Sequence, residues 1–160
     1  MQRITPCLWS AGQAEEAVAF YTAIFPESTV HTTTYYDKAS SEASGMPEGS
    51  VLTVLFELDG QEFLILNGPP NFQYTEALSL TVNCDSQDEV DHYWNHLSAG
   101  GEEGVCGWLK DRYGVSWQIV PRRLPELISH SDPRVASGAM TALMNMKKID
   151  IATLERGAGL

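Results

Sequence analysis

The chain has 160 residues, 43% of them hydrophobic and 19% charged, and a formal net charge of −11 with an isoelectric point near 4.6. That length suits one domain with a proper core, and the composition excludes a disordered or fibrous chain. The acidic balance repels phosphate backbones and anionic lipid headgroups, so neither nucleic acid nor a membrane surface is expected as a partner. The adjacent basic pairs, Arg122-Arg123 and Lys147-Lys148, read as solvated helix-end charges.

No long apolar run is present, and the first residues enter a strand-like pattern without the apolar stretch of a signal peptide. A soluble, cytoplasmic protein is the expectation. Cys7, Cys84 and Cys106 are odd in number, far apart and without a C-x-x-C spacing, so they are expected as reduced thiols that pack as small hydrophobes.

In chain order, residues 4–9 form a short β-prone run. Ala17, Phe20, Tyr21 and Ile24 then recur at helical spacing until Pro26 stops the helix. Residues 29–36, rich in Thr and Tyr, read as a strand. The Ser, Gly and Pro content of residues 38–49 predicts a mobile loop. Two apolar strands follow at 51–58 and 61–66, joined by Asp59-Gly60, the strongest short hairpin signal in the chain.

After Gly68-Pro69-Pro70 the order begins again. A strand is predicted at 78–84. A helix follows at 87–97, with Val90, Tyr93, Trp94 and Leu97 on one face, and Gly100-Gly101 ends it. A second hairpin runs through 106–111 and 115–120. A shift of 73 residues superposes Ala17, Phe20, Tyr21 and Ile24 on Val90, Tyr93, Trp94 and Leu97. A shift of 54 places Gly60, Phe63, Ile65 and Leu66 on Gly114, Trp117, Ile119 and Val120, so the second half is 19 residues shorter between helix and final hairpin. Such self-similarity indicates a duplicated module. In the tail, Ser131-Asp132-Pro133 starts a helix carrying Ala136, Met140, Leu143, Met144 and Lys147, expected to lie across the domain as cover for the core.

The hairpin Cys106-Gly107-Trp108-Leu109-Lys110-Asp111-Arg112-Tyr113-Gly114-Val115-Ser116-Trp117-Gln118-Ile119-Val120-Pro121 resembles the signature of the 3-demethylubiquinone-9 3-methyltransferase-like (PhnB-like) family, within the vicinal oxygen chelate (glyoxalase/bleomycin-resistance/dioxygenase) superfamily. Residues 4–9 leading into Ala14-Glu15-Glu16-Ala17, the run 63–70 and the tail from Ser131 to Ile151 agree with it. The resemblance implies an α+β fold of two βαβββ modules forming an eight-stranded open barrel-like cup. It divides a single domain into module one at 1–70, module two at 77–121 and a helical tail at 122–160, and it implies a homodimer.

Metal-using members of that superfamily place His, Glu or Gln on the first and last strand of each module. Carried over, those positions are Gln118, its counterpart Leu64, and residues within 4–6 and 77–79. Only Gln118 offers a ligating atom, and a neutral amide alone does not hold a divalent cation against water, so no metal is expected. The family label implies methyl transfer, yet no glycine-rich G-x-G-x-x-G turn is present and no cofactor is expected. His92, His96 and Asp88 line one helical edge, which reads as solvated surface with at most adventitious zinc binding. Lys110 and Asp111 read as a solvated strand-end pair.

Apolar walls with a few convergent polar groups define a small-molecule site, and Trp9, Trp108, Trp117, Phe63 and Tyr36 sit on or beside strands. If Gln118 faces the cup, Ser116 and Val120 share its side while Trp117 and Ile119 face the helices. The expected ligand-binding residues are Gln118, Ser116, Asn67 and Trp108, in a metal-free protein that binds a small-molecule ligand. The alternatives are an enzyme of the same superfamily (lyase, dioxygenase or methyltransferase), working through Cys7, Gln118 or an unrecognised metal, and an interaction module using the Met-bearing tail.

Overall fold

The structure is a computed structural model in which residues 2–160 are described. The chain divides into two compact units, Met1–Gln73 and Tyr74–Leu160.

The first unit runs β1 (Cys7–Ser10), α1 (Ala14–Ile24), β2 (Ser28–Tyr35), α2 (Lys38–Ser44), β3 (Val51–Leu58) and β4 (Gln61–Asn67). Its sheet has the order β1-β4-β3-β2, with β1 parallel to β4 and the other pairs antiparallel. α1 buries Ala17, Val18, Tyr21 and Ile24 against Phe56, Phe63 and Ile65 of the sheet. A side chain as fully enclosed as Phe56 or Ile65 contributes about 1.5–3 kcal/mol by leaving water. The Asp59-Gly60 turn has both residues at positive φ (47° and 78°), the backbone that a two-residue hairpin requires and that Gly tolerates without strain.

Residues 38–49 depart from the loop expectation. Asp37 accepts from the Ser40 amide at 2.8 Å while the Asp37 amide donates to the Ser40 hydroxyl at 3.0 Å, a reciprocal cap that starts α2, and Gly45 ends it at φ 76°. The Ser-rich composition that suggested a loop is what supplies the cap. None of the α2 residues is buried.

The second unit repeats the pattern with β5 (Leu80–Cys84), α3 (Gln87–Leu97), β6 (Glu102–Glu103), β7 (Trp108–Lys110) and β8 (Ser116–Pro121), in sheet order β5-β8-β7-β6 with β5 parallel to β8. The fold is therefore α+β, with two βαβββ modules and, among the described residues, eight strands in two four-stranded mixed sheets. The bounds of α1 and α3 stand in the 73-residue shift read from the sequence. The missing residues fall where module one has the eight-residue β2 followed by α2, and module two has the two-residue β6. Both first strands begin later than expected: Ile4 and Leu78 are 83% and 74% exposed and precede β1 and β5.

The tail forms three helices where one was expected: α4 (Arg123–Ile128), α5 (Pro133–Leu143) and α6 (Ile151–Ala158). Asp132 caps α5 and Asp150 caps α6 through its contact with the Thr153 amide, so Lys147 lies past the end of α5 in the connection. Leu124, Leu127, Ala139, Leu143, Ile149, Leu154 and Ala158 form a core of their own, against which Cys106 and Val120 of the module pack. Met140 and Met144 stay exposed while Met146 packs on this core, so the methionines are divided between surface and interior. No helix among the described residues is long and apolar enough to cross a membrane.

Candidate ligand-binding site

Strand alternation sorts β8 into two faces. Trp117 and Ile119 are buried on the side of α3. Ser116, Gln118 and Val120 occupy the other, where Gln118 stands opposite Thr81 of β5 and Trp108 of β7, and Ser116 opposite Lys110. The Gln118 amide donates to the Ser79 hydroxyl at 2.9 Å, which fixes its orientation at the start of β5.

A cavity of about 130 Å³ opens on this face, lined by Glu76, Glu102, Glu103, Trp108, Lys110 and Ser116. Lys110 and Glu76 form an ion pair at 2.5 Å. The hydrogen bond and attraction between them raise the Lys110 ammonium and lower the Glu76 carboxyl from their ordinary values. Glu103 accepts from the Trp94 indole at 3.1 Å, which ties the rim to α3. Ser116 differs from these neighbours: it is 1% exposed and its hydroxyl is buried with no hydrogen-bond partner. Buried hydroxyls are nearly always paired, because leaving one unpaired costs about 1–3 kcal/mol.

The loop before Trp108 is held from the tail. The Cys106 and Gly107 amides donate to the Met146 and Lys147 carbonyls, both at 2.8 Å. Cys106 sits at φ 56° and Gly107 at φ 84°, and a Cβ on Gly107 would lie 2.9 Å from Ile149. A non-glycine residue in the left-handed region is costly, and here two main-chain bonds to the tail hold it there.

The other expected residues lie elsewhere. Asn67 belongs to the first unit and is 4% exposed. Its carbonyl oxygen accepts from the Ala14 amide at 3.0 Å, capping α1, and its side-chain amide donates to the Val51 carbonyl at 3.0 Å, so both ends are used inside the fold. Tyr36 donates to the Asn67 main-chain carbonyl. Trp9 stands beside Gly68, where a Cβ would clash with its ring, and meets Phe72 edge-on at 4.8 Å. Trp117, Phe63 and Tyr36 are core.

Asp111 overturns the strand-end reading. It is 3% exposed, accepts from the Tyr113 and Val115 amides and the Trp117 indole, and organises the hairpin turn from inside, leaving Lys110 to pair with Glu76. Alternation along β7 would have put Lys110 on the face of Ser116. Glu76, in an irregular connection, gives no sequence signal.

The metal positions were tested on the donors they present. Leu64 stands opposite Cys7, whose thiol burial raises above its ordinary range, and Gln118 stands opposite Thr81 with its amide given to Ser79. Among the described residues no three His, Cys, Asp or Glu side chains are grouped to hold a metal ion. His92 and His96 approach to 4.5 Å between ring centres, but Nδ1 of His96 lies 2.7 Å from the His92 carbonyl and is engaged there. These donors do not fit a resident divalent cation.

A sequence profile of the 3-demethylubiquinone-9 3-methyltransferase family matches residues 2–120. Among solved structures, the PhnB protein from Bacillus cereus is 36% identical with a TM-score of 0.66, over 75% of this chain and 99% of its own. Protein PA1353 from Pseudomonas aeruginosa is 20% identical with a TM-score of 0.59, over 76% and 98%. The fosfomycin resistance protein FosX from Listeria monocytogenes is 16% identical with a TM-score of 0.58, over 81% and 98%. The last two are likenesses of fold alone. None of the curated proteins matches the chain.

Paired βαβββ modules with these likenesses define a protein of the vicinal oxygen chelate superfamily. Within it, the chain belongs to the 3-demethylubiquinone-9 3-methyltransferase-like, or PhnB-like, family. The profile match ends at residue 120, so the tail helices, to which the sequence resemblance had been extended, lie beyond it.

Proposed function

We propose that the chain is a metal-free small-molecule-binding protein, taking its ligand on the face of the second sheet that carries Ser116, Gln118 and Trp108. The observation that carries this is the cavity on that face, lined by Trp108, Lys110 and Ser116 among others. A concave site walled by an aromatic ring and a few polar groups is the pattern of small-molecule sites. The Ser116 hydroxyl has no hydrogen-bonded base beside it, which does not favour it as a nucleophile. The metal-free reading rests on the donor chemistry at Leu64 and Gln118. A cytoplasmic location is supported by three cysteines without a disulfide, and a homodimer by the open outer edge of β2 at the border of its sheet.

Elemental analysis of protein purified without tag or chelator, with Zn, Mn, Fe and Ni added in parallel, is expected to give substoichiometric metal and no thermal stabilisation. A fragment screen read by amide chemical shifts is expected to move residues 108–110 and 116–118 together. One tightly held metal ion per chain would overturn the metal-free reading, and hits confined to other surfaces would overturn the site.

A further inference from the structure

The two strands that carry the proposed site both run into the tail. On β8, Val120 follows Gln118 by one step of alternation, so it lies on the same face of the sheet, and it packs against the core of the tail helices. Ahead of β7, Cys106 packs against that same core, and its thiol donates to the Leu143 carbonyl at 3.6 Å. The Ile119 amide donates to the Gly107 carbonyl at 2.8 Å, so Cys106 and Val120 stand together at one end of the β7–β8 pair. At the other end Lys110, opposite Ser116, holds its ion pair with Glu76. A strand rises about 13 Å over the four steps from Ser116 to Val120. The face is therefore bounded, charged at one end and apolar at the other, with Trp108, Gln118 and Val120 half-buried along it. The apolar end wall comes from outside the stretch the family shares. The profile ends at residue 120, and the Bacillus cereus PhnB protein is matched over 99% of its chain by 75% of this one.

Resting on the ligand-binding reading above, we infer that the tail is a specificity element of this site, which it closes at Val120. The class of ligand that fits is a compact amphipathic molecule. Its polar group lies toward Lys110 and Glu76, its frame crosses Trp108, and its apolar end meets Val120. A longer molecule has no room to extend, because the tail core lies against Val120 and the carbonyls of Met146 and Lys147 are bonded to the loop beside it.

Amide chemical shifts of the full chain, titrated with 1-butanol, 1-hexanol and 1-octanol, test this. Butanol is expected to move Lys110 and Trp108, and hexanol to move Val120 and Cys106 as well. Affinity is expected to rise about fourfold per added methylene up to hexanol, the scale of one methylene leaving water, and to rise no further at octanol. Val120→Ala is expected to restore the gain for octanol, roughly four- to fifteenfold, the scale of one or two methylenes. Val120→Phe is expected to lower the limit to below hexanol. Should either variant fail to fold, nuclear Overhauser contacts in the unaltered chain decide: the terminal methyl of hexanol is expected to touch Val120. A methyl that touches Lys110 instead, or octanol still gaining at the same rate in the unaltered chain, would overturn the inference while the ligand-binding reading stood. Alcohols that move only amides elsewhere, or none, would also overturn it, and the fragment screen would then decide the ligand-binding reading separately.

Discussion

Ser116 is buried at the start of β8 with its hydroxyl unpaired. Its hydroxyl satisfies nothing in the fold, so Ser116→Ala removes an unpaired buried group and is expected to leave the midpoint of urea unfolding unchanged or raised, by about 1 kcal/mol. A clear loss of stability would mean that the hydroxyl has a structural partner. Asp111 and Asn67 present the contrary case. Asp111→Ala leaves two amides and an indole without their acceptor and is expected to cost about 2–4 kcal/mol by the same measurement, and Asn67→Ala about 1–3 kcal/mol through the lost cap of α1. Burial, with lesser help from Glu89 and Asp85, pushes the Cys84 thiol up to about 12 from about 9. Between those values the unfolded chain has released the proton and the folded chain has not, so stability falls as pH rises through that window. The fall in unfolding free energy from pH 9 to 12 is expected to be shallower in Cys84→Ala. The residues of the site were partly legible in sequence. The period-two alternation of β8 put Ser116 and Gln118 on one face. It could not reveal that Asn67 turns inward, because an amide at a strand end suits solvent, ligand or helix cap equally. Nor could it find Glu76, whose partner Lys110 is distant in sequence.

At the scale of elements, α2 shows local chemistry overriding composition. Its stability comes from its cap, since no residue in it is buried. Asp37→Ala is therefore expected to speed hydrogen exchange of Lys38–Ser44 several-fold while the global melting temperature barely moves. Hydrogen bonds from the Ser40 hydroxyl and amide hold the Asp37 carboxyl below its ordinary value of 3.8. The stabilisation is thus present above that value and lost as pH falls through the lowered one, and exchange protection of α2 should fade in acid with that sign. The other elements were legible because long-range packing agreed with local preference. Helix faces and the Asp-Gly turn were read at their true places, whereas the starts of β1 and β5 were not, because β-prone residues continue past the point where a partner strand is available. The tail was read as one helix because the break after Leu143 carries no proline or glycine, only a change in what the chain packs against.

For the molecule as a whole, the tail is a structural partner of the second module. Gly138 and Gly157 bring α5 and α6 so close that a Cβ on Gly138 would fall 2.1 Å from the Gly157 carbonyl oxygen. Helix propensity alone favours Gly138→Ala by about 1 kcal/mol, yet the contact reverses the sign, and a loss of about 1–3 kcal/mol is expected in chemical unfolding. Ile149→Ala, at a fully buried position of the tail core, is expected to cost about 2–5 kcal/mol. The grip of residues 146–149 on Cys106 and Gly107 has a consequence for inheritance. The segment that holds the hairpin loop lies outside the stretch matched by the family profile, so the second module is not a portable part. A chimera that joins it to a relative's tail must carry the stretch from Leu143 to Ile149 with it, or Cys106 loses the bonds that keep it left-handed and Trp108 loses its place in the wall.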